Sequence, residues 1–448
     1  MTQSLIMTMS GIRGVVGNPL TPSISLNVGI ALGKWLQNGV VVIGGDTRTS
    51  HDTLKGSLLS GLLSQGIHVI DIGRVTTPTL QQAIRYHQAS AGVMITASHN
   101  PAIWNGIKLM NNEGSFLTQH EYDQFIACYH ESETSYRDWQ SQGQLSIDTQ
   151  AIHRHVDIIL NQIDVSPILN NPHLSVLVDA NHGAGSVANP ILLDKLGIRY
   201  TMLYPEPTGV FAHDPEPLEK NVSAIQESMK QGNYTIGFVQ DADADRLVIL
   251  DETGHFIGED YSLAFCVDHV LEMEKAHGAR VVVNLSTSNI LHDVAAKHGA
   301  SVIQTKVGES HVTQGIRHYH ALVGGEGNGG VIYPKIGWGR DSLVGMVLAL
   351  RHCAIKGETV SQIVSRYPKY KMIRHRIDLS STDQVEAVLA RVKTLFPDSA
   401  LNCEDGVKVT LPNGWLHARP SNTEPIIRIF VEADQIDTAQ FYLNKVVT

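Results

Sequence analysis

The sequence predicts an α/β protein with three similar α/β domains, whose sheets are mixed and largely parallel, and a smaller α+β domain at the C-terminus. Its 448 residues are too many for one typical domain. Short β-branched strands alternate with helices of apolar periodicity, which is typical of βαβ units. This alternation occurs three times, and the C-terminal part of the chain then follows a different pattern of strands and helices. We therefore expect domains at 1–148, 149–255, 256–372 and 373–448.

The individual elements follow from apolar runs bounded by glycine, proline and small polar residues. In the first domain we expect helices at 26–36, 54–63, 79–86 and 121–129 and strands at 40–43, 69–72 and 91–95. In the second domain we expect strands at 174–178 and 234–239. In the third domain we expect strands at 280–284, 302–305 and 321–323 and a helix at 343–352. In the last domain we expect strands at 373–379, 406–411 and 426–431 and a helix at 385–395.

The bulk composition excludes several classes of function. The formal charge of −10 argues against non-specific nucleic-acid binding, which requires a basic face. The four cysteines are far apart and form no C-x-x-C pair, which favours reduced thiols in a cytosolic protein. The N-terminal segment has no basic signal-peptide region, and no apolar run reaches membrane-spanning length. We therefore expect a cytoplasmic protein that does not associate with membranes.

The hexapeptide 96–101, TASHNP, follows the predicted strand 91–95. Pro101 cannot continue a central strand, so Ser98 is predicted on a tight loop just past a strand end. Ligands bind at that place in open α/β sheets, and a serine there can present its hydroxyl to a substrate. A capped turn without function has the same composition and is the alternative.

The segment 241–246, DADADR, follows the predicted strand 234–239. In extended backbone alternate side chains share a face, so Asp241, Asp243 and Asp245 are expected to converge. Three carboxylates this close are costly without a cation, and oxygen ligands favour a hard ion such as Mg²⁺. The alternative is a solvated acidic turn.

Three further loops carry weaker signals. The segment 10–14, SGIRG, predicts a loop in which Arg13 meets an anion, although a surface turn is the simpler interpretation. The glycine-rich loop 324–330 contains Glu326 and Asn328, which could bond sugar hydroxyls, or it is a mobile surface loop. The loop 419–425 holds a guanidinium, two hydroxyls and an amide that suit a phosphate, or it is an ordinary turn before a strand.

The motifs 96–101, 241–246, 325–330 and 419–425 stand in the order found in one family. Over its whole length the sequence resembles the α-D-phosphohexomutases, the group of phosphoglucosamine mutase and phosphomannomutase/phosphoglucomutase. The early segment 10–14 matches as well. The resemblance implies four domains around one central cleft, the first three of which share a fold. The run 325–334 is most similar to the phosphoglucosamine mutase subgroup.

The resemblance also implies roles for individual residues. Ser98 corresponds to the phosphoserine, and Asp241, Asp243 and Asp245 would hold one Mg²⁺ per chain together with the Ser98 phosphate. The resemblance places Arg13 and Lys108 beside the transferring phosphoryl group, with Lys108 as a candidate general acid or base, and Arg246 near the same site. The implied substrate-binding residues are Lys306, Glu326, Asn328, Arg419, Ser421, Asn422 and Thr423.

Two positions depart from the family pattern and leave the sugar open. Many members have Ser where this chain has Asn328, and His where it has Gly330. The expected activity interconverts hexose 6-phosphate and hexose 1-phosphate through a 1,6-bisphosphate, which also serves as activator. Glucosamine is the favoured sugar, and phosphomannomutase/phosphoglucomutase activity is the alternative.

Two other functions use the same residues. A sugar-phosphate-binding protein would keep the phosphate-binding loop without transfer, and a phosphatase would pass the phosphoserine to water. We expect a monomer or homodimer whose partner is a small hexose phosphate, with no nucleic acid and no membrane.

Overall fold

A computed structural model of the chain describes residues 5–131, 135–379, 383–397, 399–421 and 426–447. It forms two compact units, one made of Met1–Ser262 and Gly329–Ile363, the other of Leu263–Asn328 and Val364–Thr448. The strands are β1 (Ile6–Thr8), β2 (Gly11–Val15), β3 (Val40–Gly45), β4 (His68–Arg74), β5 (Ala91–Ile95), β6 (Trp104–Asn111), β7 (Leu145–Ile147), β8 (Ser175–Asp179), β9 (Arg199–Leu203), β10 (Ile236–Gln240), β11 (Leu247–Leu250), β12 (Arg280–Asn284), β13 (Ser301–Thr305), β14 (Val323–Glu326), β15 (Gly330–Ile332), β16 (Lys371–Asp378), β17 (Leu401–Asn402), β18 (Val407–Leu411), β19 (Gly414–Pro420) and β20 (Ile426–Ala433). The helices are α1 (Pro22–Leu36), α2 (His51–Ser64), α3 (Thr77–Tyr86), α4 (Gln119–His130), α5 (Ala151–Gln162), α6 (Ser166–Leu169), α7 (Gly185–Lys195), α8 (Ser223–Gln231), α9 (Glu259–Met273), α10 (Ile290–Lys297), α11 (Glu309–Tyr319), α12 (Ser342–Lys356), α13 (Val360–Val364), α14 (Asp383–Leu395) and α15 (Ile436–Val447).

Two mixed sheets organise the first unit. Within its described residues the larger sheet has the strand order β1-β2-β6-β5-β3-β4-β7 and the smaller one β11-β10-β8-β9. In the larger sheet β3 runs parallel to both β4 and β5, whereas β6 runs antiparallel to β5 and β2. In the smaller sheet β8 runs parallel to β9 and β10, and β11 closes the edge antiparallel to β10. The predicted mixed, largely parallel α/β class is confirmed.

Local sequence explains where the first helices begin and how the sheet is covered. Helix α1 starts after Thr21, whose hydroxyl accepts the Ile24 N–H, and Pro22 stands at the first helical position, where no N–H is needed. Helix α4 starts with a capping box between Thr118 and Glu121. The apolar residues of β3, β5 and β6 pack with those of α1, α2 and α4 into one buried core.

The second unit contains three neighbouring parallel strands and an antiparallel sheet. Strand β12 lies between β13 and β14 and is parallel to both. Among the described C-terminal residues the strand order is β16-β20-β19-β18-β17, and every neighbouring pair is antiparallel. Helices α14 and α15 contribute apolar residues to the core of this sheet. The predicted α+β character of the C-terminal part is therefore confirmed.

The sequence-based interpretation was wrong for one loop, and in two others a strand extends into the first residues of the expected loop. The segment expected as a loop around Arg13 is strand β2, in which Ile12 pairs with Ile107 of β6. Arg419 lies on strand β19, and Glu326 is the last residue of β14. Glycine and proline give these segments a loop-like composition, but pairing with distant strands overrides that local preference.

None of the helices in the described ranges is long and apolar enough to cross a membrane.

Two glycines of helix α2 allow a sharp test of how α1 and α2 pack. A Cβ on Gly61 would lie 2.4 Å from the carbonyl oxygen of Leu26, whereas a Cβ on Gly56 would meet nothing within 4 Å. We predict that Gly61→Ala lowers the free energy of unfolding by about 1–3 kcal/mol, because the helices must separate. Gly56→Ala, the matched control, should raise it by up to about 1 kcal/mol through helix propensity. Urea denaturation of both variants measures the difference, and equal effects would contradict the close packing.

Candidate active site

Ser98 lies just beyond the carboxyl end of β5, as predicted. It is 2% exposed and has a left-handed backbone, with φ of 51°, which is uncommon for a residue with a side chain. Its N–H donates to Oγ1 of Thr96 at 2.8 Å, and its Oγ donates to Oδ2 of Asp241 at 2.9 Å. The hydroxyl is therefore aimed at the first carboxylate of the aspartate segment, which is far away in the sequence.

The three aspartates converge, but through a turn and not through extended backbone. The chain turns directly after β10, where the Ala244 N–H donates to the carbonyl oxygen of Asp241 at 3.0 Å and Ala244 takes φ of 54°. The prediction of convergence is thus confirmed, whereas its structural reason was wrong. Asp241, Asp243 and Asp245 are all fully buried.

Lys108 pairs with the middle carboxylate. It lies on β6, which returns antiparallel to β5 and sets Lys108 opposite Met94. Its Nζ lies 2.6 Å from Oδ2 of Asp243 and 3.5 Å from Oδ2 of Asp245. The Thr77 hydroxyl at the start of α3 also donates to Oδ2 of Asp243, at 2.5 Å. The hairpin between β5 and β6 therefore explains why a lysine ten residues after Ser98 belongs to the same site.

The other two carboxylates have their own donors. Oδ1 of Asp241 accepts the N–H groups of Asp245 and Arg246, both at 3.1 Å. Oδ2 of Asp245 accepts Nη2 of Arg340 at 2.7 Å. Arg340 was not singled out in the sequence, because it stands ninety-five positions from its partner and has no motif of its own. A Cβ at Gly330 would lie 2.1 Å from Cδ of Arg340, so the glycine there leaves the space that this arginine fills.

The carboxylate cluster fits a divalent cation. Each of the three aspartates offers one oxygen, and these oxygens lie within 4.8 Å of one another. Among the described residues, Oδ1 of Asp243 and Oδ1 of Asp245 are buried and have no hydrogen-bond partner. Buried carboxylate oxygens without donors are costly unless a cation binds them. An all-oxygen donor set is the one that Mg²⁺ prefers.

The pKa shifts of Asp241 and Asp243 have opposite directions. Burial together with the neighbouring Asp245 and Asp243 carboxylates raises the pKa of Asp241 well above its ordinary value. Burial also acts to raise the pKa of Asp243, but the Lys108 ammonium and the hydrogen bonds from Lys108 and Thr77 together hold that pKa below the usual range. For Lys108 burial acts to lower the pKa, whereas Asp243 and Asp245 raise it above the ordinary value. Lys108 is therefore an ammonium at neutral pH and can donate a proton.

Arg13, Arg246 and His99 complete the polar surroundings. Nη1 of Arg13 donates to the Asn100 side chain at 3.1 Å, which ties β2 to the Ser98 loop. Nη2 of Arg246 donates to Nδ1 of His99 at 2.8 Å. Burial and the Arg246 guanidinium hold the pKa of His99 well below its ordinary value, so it is neutral and accepts this bond. His99 belongs to the motif 96–101 but is not among the predicted site residues, although its position next to Ser98 is a signal.

The second unit links Arg419, Glu326 and the segment next to Lys306 through backbone and carboxylate hydrogen bonds. Nε of Arg419 donates to Oδ2 of Asp405 at 3.1 Å, and the same oxygen accepts the N–H of Val307, next to Lys306, at 3.0 Å. Oε1 of Glu326 accepts the N–H of Gly308 at 3.1 Å and Nδ2 of Asn284 at 2.9 Å. Lys306 is exposed and Asn328 and Ser421 are half-buried. The predicted Asn422 and Thr423 lie outside the described residues.

Four domain families match the chain in succession. They are described as phosphoglucomutase/phosphomannomutase alpha/beta/alpha domain I at residues 5–136, domain II at 153–254, domain III at 258–370 and the C-terminal domain at 373–447.

Relatives that match over nearly the whole chain have names that belong to the same family. A "Phosphoglucomutase/phosphomannomutase" of Thermococcus kodakarensis is 37% identical, covering 97% of this chain and 96% of its own. A "Probable phosphoglucosamine mutase" of Methanopyrus kandleri is 35% identical, covering 96% and 94%. The crystal structure of a phosphoglucomutase/phosphomannomutase family protein from Burkholderia thailandensis superposes with a TM-score of 0.85 at 24% identity, covering 98% of this chain and 96% of its own. That structural likeness supports the fold.

We predict that Mg²⁺ stabilises metal-stripped protein through the aspartate cluster. At a hundredfold excess over Kd the gain is about 2.7 kcal/mol, measured as a rise in Tm with added Mg²⁺. Asp243→Asn should lose this response because one ligand charge is removed. Asp71→Asn, which breaks the Lys55 ion pair outside the cluster, should respond as the unaltered protein does. An equal Mg²⁺ shift in Asp243→Asn would contradict the assignment.

Proposed function

The chain belongs to the phosphoglucomutase/phosphomannomutase family, and from that premise we propose that it interconverts glucosamine 6-phosphate and glucosamine 1-phosphate through a phosphorylated Ser98. The observation that carries this proposal is the contact of 2.9 Å between Oγ of Ser98 and Oδ2 of Asp241 in a buried site that also holds Lys108. Phosphoryl transfer requires positioning and charge neutralisation more than covalent chemistry from the protein. The described site supplies both.

The chain's own residues support each half of the reaction. The Ser98 phosphoryl group passes to a sugar hydroxyl, and the resulting 1,6-bisphosphate returns its other phosphoryl group to Ser98 after it has turned around. Each transfer removes a proton from the attacking hydroxyl and delivers one to the departing oxygen. Lys108 is our candidate for one of these proton transfers, as acid or as base. Arg13, Arg246 and Arg340 add fixed positive charge around the carboxylates.

The family uses Mg²⁺, and the carboxylate cluster is the candidate ligand set, with one ion per chain. Asp241, Asp243 and Asp245 would hold it, together with an oxygen of the phosphorylated Ser98. A bound Mg²⁺ supplies charge stabilisation to the transferring phosphoryl group. We also propose that a hexose 1,6-bisphosphate activates the enzyme, because it can phosphorylate Ser98.

We assign sugar-phosphate binding to residues of the second unit. Arg419 and Ser421, with Asn422 and Thr423, would bind the phosphate that is not being transferred. Lys306, Glu326 and Asn328 would contact the sugar. The shared use of Asp405 by Arg419 and the Val307 N–H supports this grouping, because it holds the Lys306 segment beside Arg419.

The identity of the sugar has two candidates. The relative from Methanopyrus kandleri is named for glucosamine, and that from Thermococcus kodakarensis for glucose and mannose. We place glucosamine first because the run 325–334 resembles that subgroup.

The domain boundaries near 148, 255 and 372, a cytoplasmic location and a monomeric or homodimeric state are part of the same proposal. The free cysteines support the location.

The proposal is tested by a substrate panel. Purified protein with Mg²⁺ and glucose 1,6-bisphosphate is given glucosamine, glucose or mannose 6-phosphate, and phosphorus NMR follows the appearance of each 1-phosphate. We expect the highest kcat/KM with glucosamine 6-phosphate. Preference for glucose or mannose would select the second candidate. Binding without turnover would indicate a binding protein, and release of inorganic phosphate alone would indicate a phosphatase.

We predict that the active protein carries one phosphoryl group on Ser98. Peptide mass spectrometry after incubation with glucose 1,6-bisphosphate should place it there. Ser98→Ala should reduce turnover to the background rate, because no other hydroxyl among the described residues contacts the carboxylate cluster except that of Thr77. Ser60→Ala, which removes an exposed hydroxyl of helix α2, should keep full activity. Full activity of Ser98→Ala would refute the mechanism.

We predict that Arg419→Ala raises KM for both the 1-phosphate and the 6-phosphate, since both present their phosphate to the same residue in turn. Loss of one charge-assisted pair costs on the order of 2–3 kcal/mol, so KM should rise roughly 30- to 150-fold. Steady-state kinetics in both directions measures the effect. Arg391→Ala, which removes an exposed guanidinium from α14, is the matched control and should leave KM unchanged. A change in one direction only would reject the assignment.

A further inference from the structure

Arg48 is a fully buried arginine that the reaction does not use directly. It follows β3, its side chain is 1% exposed, and its guanidinium donates from all three nitrogens. The acceptors are Oδ2 of Asp46 at 3.2 Å, the carbonyl oxygens of Ser98 and Asn100 both at 2.7 Å, and those of Pro101 and Trp104 both at 2.9 Å. A guanidinium has five N–H donors, so these five bonds use its whole capacity. Three of them end on the short loop that carries Ser98, and a fourth ends on Trp104, the first residue of β6.

The bonds from Arg48 act where the backbone is strained. Ser98 has φ of 51°, a conformation that persists only where the surroundings hold it. The Ser98 carbonyl is held by Arg48, and the Ser98 N–H by Oγ1 of Thr96 at 2.8 Å. Thr96 in turn donates to Oδ2 of Asp46 at 2.5 Å, and Oδ1 of Asp46 accepts the Arg48 N–H at 3.0 Å. Both backbone groups of Ser98 thus belong to one network.

Two further segments of the same unit pack against the network. The ring of Phe211 lies against Arg48, with the guanidinium carbon 4.9 Å from the ring centroid. The Thr47 hydroxyl donates to the His182 carbonyl oxygen at 2.7 Å. A guanidinium covered in this way binds its acceptors without competition from water, which favours a single arrangement of the loop.

We propose that Arg48 is a positioning residue for phosphoryl transfer, which acts through the Ser98 backbone to keep Oγ at Asp241. This inference rests on the proposed function, in which Ser98 carries the phosphoryl group. Arg48 touches neither the aspartate cluster nor Lys108 in the described residues. Replacement of Arg48 should therefore lower the rate of phosphoryl transfer and leave sugar binding unchanged.

The test is a single-turnover measurement on Arg48→Lys. Lysine has three donors and no planar fork, so it cannot make the five bonds. Protein phosphorylated with radiolabelled glucose 1,6-bisphosphate is mixed in a quench-flow device with the hexose 6-phosphate that is turned over fastest in the panel above. We expect the transfer rate constant to fall about 100-fold, because a small displacement of a reacting group has that cost. The amplitude, and the hexose phosphate concentration that gives half the maximal rate constant, should stay close to those of the unaltered protein.

The amplitude separates positioning from folding. A purely structural role would lower the amplitude, which counts correctly folded molecules, and leave the rate constant of the remainder unchanged. That result would overturn the proposal, as would an Arg48→Lys variant with the original rate constant. Arg351→Lys is the matched control, because Arg351 is a buried arginine that donates to the carbonyl oxygen of Asp164, outside this network. It should keep the original rate constant.

A second variant covers the case in which Arg48→Lys does not fold. Thr96→Val keeps the shape of the side chain but removes the hydroxyl that links Asp46 to the Ser98 N–H. It should slow transfer in the same way, and a normal rate constant would count against the network. If the unaltered protein transfers no phosphoryl group from Ser98, the proposed function is contradicted, and the role proposed for Arg48 is rejected together with it. If it does transfer and both variants match it, only the role of Arg48 is rejected.

Discussion

The mutual repulsion of three buried carboxylates is the constraint around which the first unit is arranged. Asp241, Asp243 and Asp245 lie within a single turn, and none is exposed to water. Such a group is stable only if positive charges and donors surround it. The chain supplies them from separate elements: Lys108 from β6 and Arg340 from the segment before α12. One short motif therefore determines where several distant parts of the chain must lie.

The position of Ser98 follows from the same constraint and from a second network behind it. Its hydroxyl donates to Asp241, so the serine adds a neutral donor to the cluster without adding charge. The left-handed backbone that directs the hydroxyl is unfavourable by itself. The Arg48 guanidinium, which donates to five acceptors including the Ser98 carbonyl oxygen, offsets this cost. The strained backbone of Ser98 thus lies next to an arginine, Arg48, that uses all five of its side-chain N–H donors.

The second unit uses one carboxylate to bring its polar residues together. Asp405 accepts from Arg419 and from the Val307 N–H, while its carbonyl oxygen is 2.6 Å from Nε2 of His417. Glu326, the last residue of β14, accepts the N–H of Gly308, which follows Val307 in the chain. These bonds are local to the unit and explain why residues from different strands form one polar surface.

The sequence by itself determined the elements and the motifs. Apolar periodicity and the residues that interrupt it are local properties, so strands such as 91–95 and 280–284 were predicted with the bounds that the structure has. The candidate residues at strand ends were found for the same reason. Tertiary structure decided what those residues touch. Strand β2, the turn that brings the aspartates together, and the partners of Arg48 and Arg340 depend on hydrogen bonds between segments far apart in the chain. An arginine has the same local sequence pattern whether it lies in solvent, pairs with a carboxylate or binds the backbone of a reactive loop, so only the folded chain distinguishes these cases.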